Sequence, residues 1–208
     1  MEKSSMDNEK NNQFFNGPNA ITLLALLTVW LAIVFLLQGQ FYLSFALVLL
    51  AFIVDFADGW LARKLGISSD FGRLLDGQVD VFIYLVYPAL AFYLFFGLQD
   101  IGSIIVIFIF LASGVFRLAR FNVLGYVSGF NYPGLPVVFS HLLVLLFLIF
   151  KLNAVQYFVY ISDVLIMLTS ILMLSTFPFP KPKKISGFVI FLAALIAVML
   201  YLHFYGSH

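Results

Sequence analysis

The chain has 208 residues, 63% of them hydrophobic and 10% charged, with a formal net charge of +1 and a mean hydropathy of +1.07. The apolar share lies far above the roughly 45–50% of soluble domains, which excludes a water-soluble globule and points to one helical membrane domain. Cys is absent, excluding a disulfide framework, a thiolate metal site and a cysteine nucleophile, and no nucleic-acid partner is expected.

Residues 1–17 read as a polar cytoplasmic tail, rich in Asn, Lys and Glu, whose Phe14-Phe15 would touch the membrane interface. The first apolar run begins only near residue 20, and Gln38-Gly39-Gln40 behind it lacks the small residues of a cleavage site, so this span is expected to remain in the mature protein. Pro18 suits the first turn of a helix, where its missing N–H would be unsatisfied anyway.

A hydrocarbon core about 30 Å thick takes about 20 helical residues to cross. On that scale the sequence predicts about seven spans, over 20–37, 41–63, 72–96, 101–121, 135–150, 155–177 and 186–205. The fold class is therefore an all-α, polytopic membrane helical bundle. Gly66 stops the second helix, and Ser68, Ser69 and Asp70 offer an N-cap for the third. Pro178, Pro180 and Pro182 break the chain before the last span. There is no internal repeat.

With a cytoplasmic N-terminus, ten of the eleven Lys and Arg residues fall on the inside and only Lys151 outside, as the positive-inside rule requires. That orientation puts the loop between the second and third spans in the cytoplasm and sends the C-terminus outward.

Around that loop lie four aspartates: Asp55 and Asp58 late in the second span, Asp76 and Asp80 early in the third. Helical residues three, four or seven apart share a face. Asp55, Asp58, Gly59 and Ala62 thus form one stripe, and Gly72, Asp76 and Asp80 another. The short loop makes the two helices antiparallel neighbours, so all four carboxylates can converge on one cavity. At 1.5 Å rise per residue, Asp55 and Asp80 lie roughly 12 Å from the loop, inside the membrane.

An ionised Asp at a helix centre costs about 2.5–3.5 kcal/mol even on an insertion scale, so something positive must sit among these four. Arg63 and Arg73 can neutralise part of the charge. Carboxylates without Cys or His form the oxygen-rich surroundings preferred by Mg²⁺, Mn²⁺ or Ca²⁺. Gly59, Ala62 and Gly72 leave room for a ligand beside them.

The pattern Asp55-x-x-Asp58-Gly59-x-x-Ala62-Arg63, eight residues, Gly72-x-x-x-Asp76-x-x-x-Asp80 resembles, position for position, the signature of the CDP-alcohol phosphotransferase family. The resemblance implies a six-helix membrane core at 18–185, to which 186–208 adds a further helix, usually in a homodimer. It implies an enzyme of phospholipid synthesis that uses Mg²⁺ or Mn²⁺ and displaces CMP from a CDP-linked lipid with the hydroxyl of a small alcohol. Asp55, Asp58, Asp76 and Asp80 would bind metal, and Asp80 would also be the catalytic base. Asp58, Gly59, Ala62, Arg63 and Gly72 would form the CDP site.

Further along, Arg117-Leu-Ala-Arg120-Phe-Asn122, Gly134-Leu135-Pro136 and Phe177-Pro-Phe-Pro-Lys181 look like the phosphatidylserine synthase branch of that family. Arg117 and Arg120, one turn apart, could present guanidinium forks to a serine carboxylate, with Asn122 assisting; their alternative role is as positive-inside anchors. After Asp80 the chain reads Val-Phe-Ile-Tyr-Leu-Val-Tyr-Pro-Ala, where that branch carries a Ser-Phe-Gly type of segment, so inositol phosphate, glycerol phosphate and choline stay open as acceptors.

His141 reads as a hydrogen-bonded histidine of the bundle, and Asp163 as a side chain that snorkels or caps a helix end. Intramembrane carboxylates also mark ion pathways, so a divalent-cation or proton-coupled transporter is the rival reading. Transporters commonly show repeated halves and interrupted spans, and this sequence shows neither.

Overall fold

Each apolar run folds as a helix in the computed structural model, which describes residues 16–67, 69–124, 132–179 and 186–205. The N-terminal tail with Phe14-Phe15, and Lys181, Lys183 and Lys184, lie outside the described residues. The helices are α1 (Gly17–Leu37), α2 (Phe41–Leu65), α3 (Asp70–Val81), α4 (Tyr87–Leu94), α5 (Ile101–Leu124), α6 (Phe139–Leu152), α7 (Phe158–Leu174) and α8 (Ser186–Tyr205). A π-helical turn, Phe82–Val86, joins α3 and α4 into one continuous span. Among the described residues four helical segments, Gly17–Leu37, Phe41–Leu65, Asp70–Leu94 and Ile101–Val123, are long and apolar enough to cross a membrane; Phe139–Leu152, Phe158–Leu174 and Ile190–Tyr205 are shorter apolar helices. The protein is an integral membrane helical bundle.

Local chemistry sets the ends of the elements that carry the aspartates. Asn16 caps α1, its side chain accepting from the Asn19 N–H at 2.9 Å, and Gly39 takes a positive φ of 77° in the turn to α2. Gly66, at φ 67°, ends α2, and the Ile67 N–H returns to the Ala62 carbonyl at 3.1 Å. This left-handed terminator satisfies carbonyls that the last turn leaves open. Ser69 caps α3 by accepting from the Gly72 N–H at 3.0 Å. Asp100 precedes α5 and accepts from both the N–H and the hydroxyl of Ser103, at 3.1 and 2.6 Å; these hydrogen bonds hold its carboxyl below the usual carboxylate range.

The π turn follows from Pro88. A proline has no N–H for the carbonyl four residues back, here that of Tyr84, and its ring crowds that carbonyl. The chain widens instead, with the Tyr87 N–H bonded to the Phe82 carbonyl five residues back.

Packing is closest between α1 and α2, between α5 and α7 and between α2 and α8. Large apolar side chains such as Leu24, Leu27, Trp30, Ile105, Phe108 and Val164 stay exposed; on a bundle in lipid these are the outer face. Between helices, Ser44 donates to the Ala32 carbonyl at 2.7 Å and meets Tyr87 Oη at 2.9 Å, tying α1, α2 and α4 together. Away from the aspartates, Phe41 stacks on Phe95 with centroids 3.6 Å apart. Phe92, Phe96, Phe147 and Phe158 extend this aromatic cluster, and Lys151 lies over the Phe95 ring while donating to the Phe95 carbonyl.

The helices of the fifth and sixth expected spans, α6 and α7, are shorter than the 135–150 and 155–177 read from the sequence. Gly134 takes φ 77°, and Pro136 biases Leu135 away from helical backbone, so α6 begins only at Phe139. After α7 the chain extends, and Pro178–Phe179 pairs antiparallel with Tyr132–Pro133 in a two-residue ladder that the sequence pattern does not announce.

Gly114 of α5 lets that helix lie against the π turn, because a Cβ there would stand 2.2 Å from Leu85 Cδ2. Leu85 is fully buried and cannot swing aside. Gly114→Val is expected to destabilise the protein by about 1–3 kcal/mol, read as a lower unfolding temperature in detergent; an unchanged temperature would mean that α5 and the π turn do not pack this closely.

Candidate active site

The two predicted aspartate stripes face each other across α2 and α3. Asp55, Asp76 and Asp80 each offer a carboxylate oxygen, and these oxygens all lie within 4.8 Å of one another. Asp58 does not join that group. Its Oδ2 accepts a short hydrogen bond from the Thr22 hydroxyl of α1, and the residue is 3% exposed. Asp55 Oδ2 accepts from the Tyr84 hydroxyl at 3.0 Å, whereas Asp55 Oδ1 is buried with no hydrogen-bond partner.

Beside the acids opens a cavity of about 460 Å³. Asp58, Gly59, Ala62, Arg63, Gly72 and Asp76 line it, together with Pro18, Asn19 and Thr22 of α1, Ile67 and Ser69 of the α2–α3 turn and Asp70 and Arg73 of the first turn of α3. Asp55 and Asp80 are not part of its wall. The small residues set its shape: a Cβ on Gly72 would stand 2.9 Å from Asn19 Oδ1 and 3.2 Å from Ser69 Oγ, and one on Gly59 would stand 3.3 Å from Arg63 Nη1.

The cations divide differently from the expectation. Arg63 acts electrostatically on Asp58 and Asp76. Arg73 instead pairs with Asp70 at 3.1 Å, where both side chains are exposed, an arrangement worth little. The second cation at the acids is Arg117 of α5, 4% exposed and acting on Asp80. The sequence offered Arg117 as an acceptor contact or a positive-inside anchor; that it is buried and acts on Asp80 is invisible to a rule that counts charges along the chain.

Arg120 holds helix ends together. It donates to the carbonyls of Met173, Leu174 and Ser175 at 3.1, 3.0 and 2.8 Å, where α7 ends. Those carbonyls lack intrahelical donors, and a guanidinium fork suits several at once. Asn122 reaches α3, where a Cβ on Gly77 would stand 2.6 Å from its Nδ2. The structure thus brings Arg117 and Asn122 to the aspartate helices and turns Arg120 toward backbone.

The family profile for CDP-alcohol phosphatidyltransferase matches residues 15–205. The chain belongs to that family. Among similar proteins in the family are a CDP-diacylglycerol–serine O-phosphatidyltransferase of Methanocaldococcus jannaschii, 35% identical over 88% of this chain and 84% of that protein. An archaetidylserine synthase of Methanothermobacter thermautotrophicus is 30% identical over 85% and 74%. A CDP-diacylglycerol–serine O-phosphatidyltransferase of Helicobacter pylori is 29% identical over 91% and 82%.

The family's divalent metal fits the donor set found here. Three carboxylates within 4.8 Å cannot all stay ionised without a cation among them, and a buried carboxylate oxygen without a partner among the described residues carries the full cost of desolvation. The oxygen-only surroundings suit a hard divalent ion. Asp55, Asp76 and Asp80 are the residues that would hold it.

Two contributors escaped the sequence reading. Thr22 is a common residue in an apolar run, and its hydroxyl gains meaning only when α1 packs beside Asp58; its spacing of four from Pro18 is the available hint. Tyr84 follows Asp80 by four residues and so continues the stripe of Asp76 and Asp80, a periodicity that could have marked it. His141 is buried, with Nδ1 3.4 Å from Ser140 Oγ and no hydrogen-bond partner for Nε2, so it is held mainly by its rings' neighbours. Asp163 accepts from Ser103 at 2.9 Å, bridging α7 to the start of α5.

If Arg120 is the clasp of α7, Arg120→Ala should cost about 1.5–3 kcal/mol, as hydrogen bonds to charged groups do. Detergent unfolding measures it, and full stability with a selective loss of acceptor binding would return Arg120 to the acceptor site.

Proposed function

We propose that the protein transfers a phosphatidyl group from a CDP-linked lipid, diacyl or diether, to the hydroxyl of L-serine and releases CMP. The observation that carries this reading is the convergence of Asp55, Asp76 and Asp80 next to a cavity lined by Asp58, Gly59, Ala62, Arg63 and Gly72. Serine is favoured over inositol phosphate, glycerol phosphate and choline because relatives covering most of the chain are named for serine.

The cavity is the right size and charge pattern for a nucleotide head: 460 Å³, with Arg63 available for phosphate and small residues where the ligand must approach backbone. Thr22 fixes the Asp58 carboxylate at its wall. Asp55, Asp76 and Asp80, with Asp58 beside them, would hold a divalent ion, Mg²⁺ or Mn²⁺, which when bound would supply positive charge against the donor's pyrophosphate and the leaving CMP. Asp80 takes the proton of the acceptor hydroxyl. The acceptor oxygen then bonds to the lipid-linked phosphorus as the phosphorus–oxygen bond to CMP breaks. Arg117, close enough to act on Asp80, offers a charge for the serine carboxylate, with Asn122 of the same helix set against Gly77 of α3.

The same proposal places the protein in the cytoplasmic membrane as seven spans and a homodimer, with the N-terminus and the active site on the cytoplasmic side. Residues 18–185 form its catalytic membrane domain and 186–208 an added helix. The charge distribution supports the orientation, and a lipid donor can enter from the bilayer while serine and CMP exchange with cytoplasm.

Purified protein supplied with CDP-diacylglycerol, Mn²⁺ or Mg²⁺ and serine should release CMP, less with the other alcohols, and none after chelation of the metal. Absence of CMP release with every acceptor would sink the reading. Asp80→Asn should lower turnover at least about 100-fold with CDP-lipid binding largely kept; near-normal turnover would remove Asp80 from the chemistry. Gly72→Ala, which pushes on Asn19, should raise KM for the CDP-lipid about 10-fold with kcat nearly unchanged, the mark of lost ground-state binding; an unchanged KM would separate Gly72 from the donor cavity.

A further inference from the structure

Tyr84 is the one side chain that hydrogen-bonds a member of the carboxylate triad among the described contacts at that centre. Its hydroxyl donates to Asp55 Oδ2 at 3.0 Å, leaving the buried Oδ1 as the oxygen without a hydrogen-bond partner. A carboxylate on a single bond from its backbone can rotate; a fixed donor on one oxygen fixes where the other one points. The phenol itself is held on two sides. Phe52, one turn before Asp55, meets it edge-on at 5.2 Å and 86°, and His141 of α6 meets it at 5.4 Å and 84°. Tyr84 is 5% exposed, so the ring has few other places to go.

The backbone adds a second, independent reason. Tyr84 is the middle residue of the π turn Phe82–Val86, and Pro88 removes the N–H that would otherwise bond the Tyr84 carbonyl. Such wide turns are scarce and recur at functional sites. Here it sets the angle at which Tyr84 leaves the span that also carries Asp76 and Asp80, letting one helix present two acids and the donor that orients a third acid on α2.

We infer that Tyr84 is a positioning residue of the metal centre: its hydroxyl, aimed by the Pro88-driven π turn and clamped by Phe52 and His141, holds Asp55 with one oxygen turned to the cation. This rests on the metal reading of Asp55, Asp76 and Asp80. The hydroxyl touches neither substrate nor reacting atom; it acts through Asp55. Outer partners of metal ligands commonly tune metal affinity by about 10- to 100-fold.

The test uses the full-length protein in detergent, with Mn²⁺ alone as probe and the free ion followed by electron paramagnetic resonance. Tyr84→Phe keeps the ring and its packing and removes only the donor. Its Mn²⁺ dissociation constant should rise about 10-fold, and the Mn²⁺ concentration for half-maximal CMP release should rise with it, while the rate at saturating Mn²⁺ returns close to that of the unaltered protein. Incorporating 4-aminophenylalanine at position 84, which restores an N–H donor at the same place, should recover most of the affinity.

Equal Mn²⁺ affinity in the unaltered protein and Tyr84→Phe would overturn the inference and leave the proposed function standing. Equal weakening by both replacements would overturn it as well, since ring packing would then be the cause. So would a Tyr84→Phe chain that no longer folds, because the hydroxyl would then serve the fold. No Mn²⁺ binding by the unaltered protein would remove the metal centre itself.

Discussion

Bringing three carboxylates to within 4.8 Å inside an apolar bundle is the constraint on which the rest of the structure depends. Like charges at that distance in a low-dielectric interior repel by several kcal/mol, and each also loses its hydration. Three features answer that cost: the cations Arg63 and Arg117; a hydroxyl donor, Tyr84, reaching Asp55 from another helical segment; and a free oxygen on Asp55 suited to a bound ion. None of these partners comes from its acid's own turn of helix: Arg63 acts on Asp76 from α2, Arg117 on Asp80 from α5 and Tyr84 on Asp55 from the π turn. The centre therefore exists only when α2, α3 with its π turn, and α5 are assembled, and α1 adds Thr22 at the neighbouring Asp58.

The opposite end of the bundle is built on other physics. Phe41, Phe92, Phe95, Phe96, Phe147 and Phe158 interlock there, and such pairs add about 0.5–1.5 kcal/mol each beyond burial. In lipid the hydrophobic effect does little to drive helices together, and van der Waals packing carries the association. Rings that interdigitate densely at one end let the other end keep a cavity and small residues, with Gly59 and Gly72 in its wall and Gly77 leaving the room that Asn122 takes.

The sequence made the aspartate stripes legible because a helix has one period and the acids stand out against an apolar ground. Asp76 and Asp80 had to share a face, and Gly59, Ala62 and Gly72 had to lie beside the acids, whatever the tertiary details. The family motif added the chemistry. What stayed hidden was whatever depends on which helices touch. Arg73 and Arg63 look alike along the chain, yet one pairs with Asp70 in the open and the other leans over Gly59 into the cavity. Arg117 and Arg120 are one turn apart, yet one is buried beside Asp80 and the other binds the carbonyls that end α7. Periodicity ranks positions on one helix; it is silent on the azimuth of its neighbours.

Proline and glycine carry some of that missing information, because they act on backbone before any contact forms. Pro88 widens the turn that aims Tyr84. Gly134, at φ 77°, folds the chain so that its backbone passes the end of α7, where a Cβ would stand 2.6 Å from the Ser175 carbonyl, 2.7 Å from that of Met173 and 3.0 Å from Arg120 Nη2. The Gly134 N–H bonds the Phe177 carbonyl at 2.9 Å and the Leu135 N–H that of Leu172 at 3.0 Å. Arg120, Gly134 and the end of α7 thus make one joint. That joint anchors α5, the helix that delivers Arg117 and Asn122 to the aspartate helices, so a residue turned toward backbone still decides how firmly that helix is held against the acids.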